Sequence, residues 1–275
     1  MYTKKIPTKN EPKFGIITPT AYLNYAKQSS FHLVLAHLVD TDPIYAEFYL
    51  NRSLAGDFII LDNSAFELPT PYKPEKLISI GERIQADLIV LPDYPFSPGE
   101  RTIKAAKEFA PQFRDAGFGT FFAPQSEYGD YIDWFNTYCW ASESDLIDSI
   151  GLSILGIPNA IPHIAKPYAR VVMVQRLIDA GVYNFDKYTH ALGLNAGPAL
   201  ELPSLINMMA INSCDSSNPV WMGILGHRYV SNTDSYLSVS KVSKHVEFDY
   251  PSTKDLTTLE NIQHNIDLTL KLFSK

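Results

Sequence analysis

A chain of 275 residues, 45% of them hydrophobic, can bury a sizeable core without disulfide or metal staples. The formal net charge of -7 argues against a protein whose business is non-specific polyanion binding, and two cysteines, Cys139 and Cys214, are too few for a disulfide framework or a CxxC metal knuckle. No apolar stretch reaches the roughly 18 residues of a membrane span and MYTKKIPTKNEPKFG lacks a signal-peptide core, so the expectation is a cytoplasmic protein with no membrane partner.

The first segment (1–13) is basic, with Lys4, Lys5, Lys9 and Lys13 against Glu11. Short apolar runs then recur along the chain. They are FGIIT (14–18), HLVLAHLV (32–39), FIILD (58–62), DLIVLPD (87–93), GTFFAPQ (119–125), SIGLSIL (149–155), HALGL (190–194) and INSCD (211–215). Near-continuous apolar character over such lengths predicts strands buried on both faces, as in parallel sheets covered by helices. Between most of them lie amphipathic segments, among them PEKLISIGERIQ, ERTIKAAKEFAPQFRDAG and ARVVMVQRLIDAG. The Ala-Gly pairs that close the last two predict helix C-caps. The stretch 227–250 alternates polar and apolar residues and predicts an insertion or hairpin before a final helix, TLENIQHNIDLTLKLF.

Strand alternating with helix implies βα units and a parallel sheet. Eight units in a chain of this length match a (β/α)8 barrel, a single α/β domain over residues 1–275. An open doubly wound sheet is the competitor; no GxGxxG or GxxxxGK[ST] phosphate loop follows any strand to support it.

Barrel enzymes carry their chemistry at the C-terminal ends of the strands. Those ends hold Asp62 with Asn63, Asp93, Gln125, the glycine-containing strand around Gly151, Leu192 with Gly193, and Asp215. Any one of these aspartates also fits a turn or helix N-cap. Several on one rim predict a site. The histidines show no HxH or HExxH spacing, so no metal ligand set is expected, and paired carboxylates without a metal suit attack at an anomeric carbon.

In chain order, LDNSAFE (61–67), LPDYP (91–95), FFAPQSE (121–127), IGLSILG (150–156), HALGL (190–194) and NSCDSSNP (212–219) resemble the tRNA-guanine transglycosylases, barrel enzymes that exchange a guanine in a nucleic acid for a 7-deazaguanine. The resemblance implies that Asp215 is the nucleophile that attacks C1′ and holds the nucleotide as a glycosyl ester. Asp62 would handle protons, with small residues from Asn63 onward letting a nucleotide approach. Phe66 and Leu192 would sandwich the base, Asp93 would accept from its N1 and 2-amino donors, and Gln125 with the backbone at Gly151 and Leu152 would donate to O6. A carboxylate suits the paired donors of guanine's Watson-Crick edge, which adenine lacks.

The chain departs from the tRNA-acting pattern. It has no CxCxxC zinc module, and SNPVWMG lacks the arginine of the family's PTR motif. The compact form resembles the phage and bacterial branch that inserts 7-deazaguanines into DNA, for protection against restriction. The expected partners are DNA and a 7-deazaguanine such as 7-cyano-7-deazaguanine, with no cofactor, and with Lys13, Arg228, Lys241 and Lys244 contacting phosphates. A zinc-free tRNA enzyme, a non-catalytic nucleic-acid-binding subunit and a glycosidase are the alternatives. Oligomeric state is not specified by these motifs.

Overall fold

A computed structural model describes residue 4 and residues 6–65, 68, 72–194, 198–230 and 246–274. Its strands are β1 (Lys13–Ile16), β2 (Phe31–Leu35), β3 (Phe58–Asp62), β4 (Leu88–Val90), β5 (Gly119–Phe122), β6 (Ser149–Ser153), β7 (Tyr188–Leu192) and β8 (Ser213–Ser216). They pair in parallel in the order β1-β8-β7-β6-β5-β4-β3-β2. At the remaining seam β1 packs against β2 so closely that a Cβ on Gly15 would stand 3.0 Å from the Phe31 ring and 3.5 Å from the Leu33 nitrogen. The fold is a (β/α)8 barrel, as the eight apolar runs predict.

Several predicted strands end early: HLVLAHLV pairs only to Leu35, with Ala36–Thr41 turning into a short helix, and FGIIT, SIGLSIL and HALGL stop at Ile16, Ser153 and Leu192. DLIVLPD forms a ladder only to Val90 and GTFFAPQ only to Phe122, because Pro92 and Pro124 have no N–H to give. Asp93 and Gln125 therefore sit in the loops beyond the strands.

The outer layer comprises α1 (Pro43–Leu54), α2 (Pro74–Ile84), α3 (Gly99–Asp115), α4 (Tyr131–Glu143), α5 (Lys166–Asp179), α6 (Pro198–Asn207), α7 (Asn218–Ile224) and α8 (Leu256–Lys271). In α2, Leu77, Ile80 and Ile84 recur at helical spacing and are buried, Pro74 opens the first turn, and Gln85 closes the helix in the left-handed region. Gly117 and Gly181 take the left-handed conformation after α3 and α5, as the Ala-Gly signals predict. Among the described parts of 227–250, neither 227–230 nor 246–250 forms a strand; residues 231–245 lie outside the described residues. No helix of the described chain is long and apolar enough to cross a membrane.

The floor, where the strands begin, is tied by polar side chains. Asp87 accepts from the Ile59 N–H at 2.8 Å, Asp148 from Thr120 N–H at 2.8 Å, and Asn212 from Thr189 N–H at 2.9 Å. One acceptor placed before β4, β6 and β8 thus satisfies the N–H of the neighbouring strand. Lys4 and Lys9 of the basic N-terminal segment belong to this floor. Lys4 bonds Asp87 and the Gln85 carbonyl, and Lys9 bonds the carbonyls of Phe185 and Lys187.

Candidate active site

The opposite end opens into a cavity of about 790 Å³, lined at the strand C-termini by Asp62, Asn63, Asp93, Gln125, Ser153, Leu192 and Asp215. Apolar walls come from Leu33, Leu35, Ile154 and Leu194, and from Val246 and Phe248, which return to the mouth before α8. Six of the expected site residues are thus brought together: Asp62, Asn63, Asp93, Gln125, Leu192 and Asp215. None of the described lining residues is a lysine or arginine.

Asp215 lies in β8 and is buried. Its Oδ1 accepts from His190 Nε2 at 2.9 Å and from the Gly193 N–H at 3.0 Å. His190 lies inside the barrel, its ring centroid 5.4 Å from that of Phe31 and 5.9 Å from that of Phe121. Its Nδ1 is 2.7 Å from Ser213 Oγ, which is 2.6 Å from the Tyr188 hydroxyl. Because a carboxylate only accepts, we assign the His190 proton to Nε2 and an acceptor role to Nδ1, so hydroxyl protons run from Tyr188 to Ser213 to His190. One oxygen of Asp215 is therefore fixed. No described residue bonds Oδ2.

Asp93 is buried and takes one amide on each oxygen: Asn63 Nδ2 at 2.9 Å on Oδ1 and Gln125 Nε2 at 2.7 Å on Oδ2. Burial raises its pKa above the ordinary carboxyl value, against the lowering effect of the two amides. Asn63 is fully engaged, since Nδ2 also bonds the Leu91 carbonyl and Oδ1 accepts from Ala65 N–H. Its place is to hold Asp93. Gln125 Oε1 is buried with no described partner, so the amide presents an acceptor beside Asp93 and has given one Nε2 hydrogen to it.

Asp62 ends β3 and accepts from Ser64 N–H at 2.9 Å. Ser64 is held at φ 56° and bonds His37 Nδ1 at 2.9 Å. His37 lines the cavity with its ring at 73° to that of Phe248, and burial lowers its pKa, which favours a neutral imidazole.

Other expected positions fall elsewhere. Gly151 and Leu152 lie within β6, in register with His190 and Ala191, and do not line the cavity; a Cβ on Gly151 would stand 2.5 Å from the Phe121 ring. Ladder pairing occupies that backbone, and the mouth instead carries Gly156. Lys13 opens β1 and so stands at the floor, away from the mouth. Arg228 is exposed beside His264 of α8, outside the cavity lining. Phe66, Lys241 and Lys244 lie outside the described residues.

His190 and His37 were missed by the sequence reading. Period-2 alternation offered a signal for the first: Tyr188 and His190 share one face of β7, as Ser213 and Asp215 share one face of β8. No protein-family model and no curated protein matches the chain.

Proposed function

We propose that this protein is a base-exchange transglycosylase that replaces guanine in DNA with a 7-deazaguanine. The observation that carries the proposal is the differentiation of Asp215: Oδ1 is held by two N–H donors, and no described residue bonds Oδ2 in a cavity shared with Asp62 and Asp93. Oδ2 attacks C1′ as the C1′–N9 bond breaks, and the bonding pair leaves with the base, which is protonated by a cavity acid. The incoming base surrenders its N9 proton and reverses the step, so no cofactor is consumed. Asp62 is the cavity carboxyl assigned to that proton.

Asp93, steadied by Asn63 and Gln125, accepts from the paired donors of a guanine-like edge. Leu192 supplies one apolar face for the base. The free hydrogen on Gln125 Nε2, or rotation of the amide, supplies the O6 donor. With Lys4 and Lys9 engaged at the floor, we assign the phosphate contacts to the segment carrying Lys241 and Lys244.

The preference for DNA over tRNA rests on sequence, on the absence of the PTR arginine from SNPVWMG. A sugar-polymer cleft is disfavoured, since Trp134 and Trp221 are buried and no tryptophan lines the cavity. The test is entry of radiolabelled guanine into duplex DNA, single-stranded DNA and tRNA, with Asp215→Ala alongside. Label is expected in DNA, with the variant slower by about 10⁴-fold. Label in tRNA alone would move the substrate to tRNA, and no label in any of the three would remove the assignment.

A further inference from the structure

A buried ion pair stands behind the nucleophile's wall. Arg170 of α5 and Glu201 of α6 are both essentially inaccessible to solvent. Arg170 Nε donates to Glu201 Oε2 at 2.7 Å and one Nη2 hydrogen goes to Glu201 Oε1. Nη1 donates to the Leu152 carbonyl at 3.2 Å and the Leu192 carbonyl at 3.1 Å, and Nη2 donates to the Gly193 carbonyl at 2.7 Å. A guanidinium has five N–H donors, and these bonds account for all of them.

Three of the five go to backbone carbonyls at the ends of β6 and β7. Gly193 sits at φ 69°, and its own N–H is one of the two donors on Asp215 Oδ1. A Cβ there would lie 3.1 Å from Ile154, so the turn is both left-handed and tightly packed. The guanidinium thus fixes the carbonyl side of the same residue whose amide fixes the nucleophile. For holding two helices together, an apolar pair of similar volume would serve as well, because burying the charges costs desolvation. Lysine could not replace the function, having three donors and no planar fork.

We infer that Arg170, oriented by Glu201, is a positioning residue that sets the Gly193 N–H and through it the attacking geometry of Asp215. The inference rests on the transglycosylase proposal for its kinetic readout only. Arg170→Met/Glu201→Leu, a neutral pair, is expected to stay folded at assay temperature, with a lowered melting temperature because the Leu152, Leu192 and Gly193 carbonyls lose a donor, while kcat falls by about 100-fold and KM for DNA moves less than about threefold. Arg170→Lys should lose kcat while leaving KM in place. Equal kcat in the double variant would overturn the inference, as would a loss of kcat that tracks the melting temperature or an equal rise in KM.

Amide hydrogen exchange supplies a second measurement that needs no activity and little of the variant's stability. In Arg170→Lys, exchange at Gly193 should accelerate by about 30-fold while the amides of β4 keep their protection. Unchanged Gly193 protection, or uniform acceleration across the barrel, would overturn the positioning role. Wild type without base exchange but with this local response would sink the transglycosylase proposal and leave the positioning of Asp215 standing.

Discussion

At the floor of the barrel Asp57 lies 2.8 Å from His32 and 2.6 Å from the Arg52 guanidinium, Asp148 is 2.5 Å from Arg114, and Asp87 is 3.0 Å from Lys4. At the mouth Asp62, Asp93 and Asp215 line one cavity with no described lysine or arginine in its wall. Both ends are rich in aspartate, and among the described residues the floor carboxylates carry cationic partners while no lysine or arginine lines the mouth cavity. Floor carboxylates tie strands and helices together with neighbouring cations; mouth carboxylates are held by amides, backbone N–H groups and a histidine. Neutral donors orient a carboxylate and leave its charge available. That difference separates the residues that keep the barrel standing from those proposed to react.

The sharpest way to break the floor is Asp57→Asn. Burial alone would raise the Asp57 pKa, but His32 and Arg52 outweigh it and hold the carboxyl below the ordinary value. A lowered folded pKa contributes stability above the unfolded value of 3.8, and that stability is lost as pH falls through the folded pKa. The substitution should cost roughly 2 kcal/mol at neutral pH, less than for a fully buried pair because Arg52 keeps some solvent contact. Urea midpoints for the two proteins should converge toward low pH. A gap that persists in acid would show that the cost comes from packing.

Asp93→Asn tests the mouth and should behave with the opposite sign. Its folded pKa lies above the unfolded value of 3.8, so in the window between them the folded state binds more protons. Stability therefore falls as pH rises through that window, and the neutral variant escapes the fall. Asparagine should be more stable at pH 7 by about 1 kcal/mol, with Gln125 turning its amide to match. The KM for guanine should rise by about 10-fold with the charge-assisted bond gone. A variant less stable than wild type at pH 7 would place Asp93 with the floor carboxylates.

How far these two ends were legible in the sequence follows from how each is encoded. All eight strands stand out because parallel barrel strands are apolar on both faces, and the strand-end polar residues fall at the mouth by the polarity of the barrel. The same polarity places Lys13, the first residue of β1, at the floor, so its expected phosphate contact was avoidable from sequence alone. Lys4 and Lys9 were not so easily placed, since their partners, Asp87 and the carbonyls of Phe185 and Lys187, are remote in the chain. His190 was hidden because a single histidine in an apolar run looks like core. Period-2 alternation puts it on the same barrel face as Tyr188, and pairing with β8 then shows it under Asp215. Arg170 and Glu201 lie in helices where a charge ordinarily marks the solvent face, and nothing local announces that both are buried.

The smallest expected effect concerns backbone conformation at the two ends. After α1, α3 and α5 the left-handed positions are the glycines Gly56, Gly117 and Gly181, which carry little strain, whereas Gln85 after α2 and Met209 after α6 take that conformation with a side chain. At the mouth, Phe96 is held at φ 62° with half its surface exposed, in the turn Tyr94-Pro95-Phe96-Ser97 where Ser97 N–H donates to the Tyr94 carbonyl at 3.2 Å. Proline at the second position and positive φ at the third describe a type II turn, whose third position favours glycine or asparagine. Phe96→Asn should therefore raise stability by about 0.5 kcal/mol, since asparagine tolerates the left-handed region without glycine's cost in the unfolded chain. Tyr94, stacked on the Arg101 guanidinium at 3.8 Å, would keep the loop in place. A lower urea midpoint would mean that contacts of the Phe96 ring outweigh the turn strain, and would remove this residue from the set of features in which the mouth gives up stability.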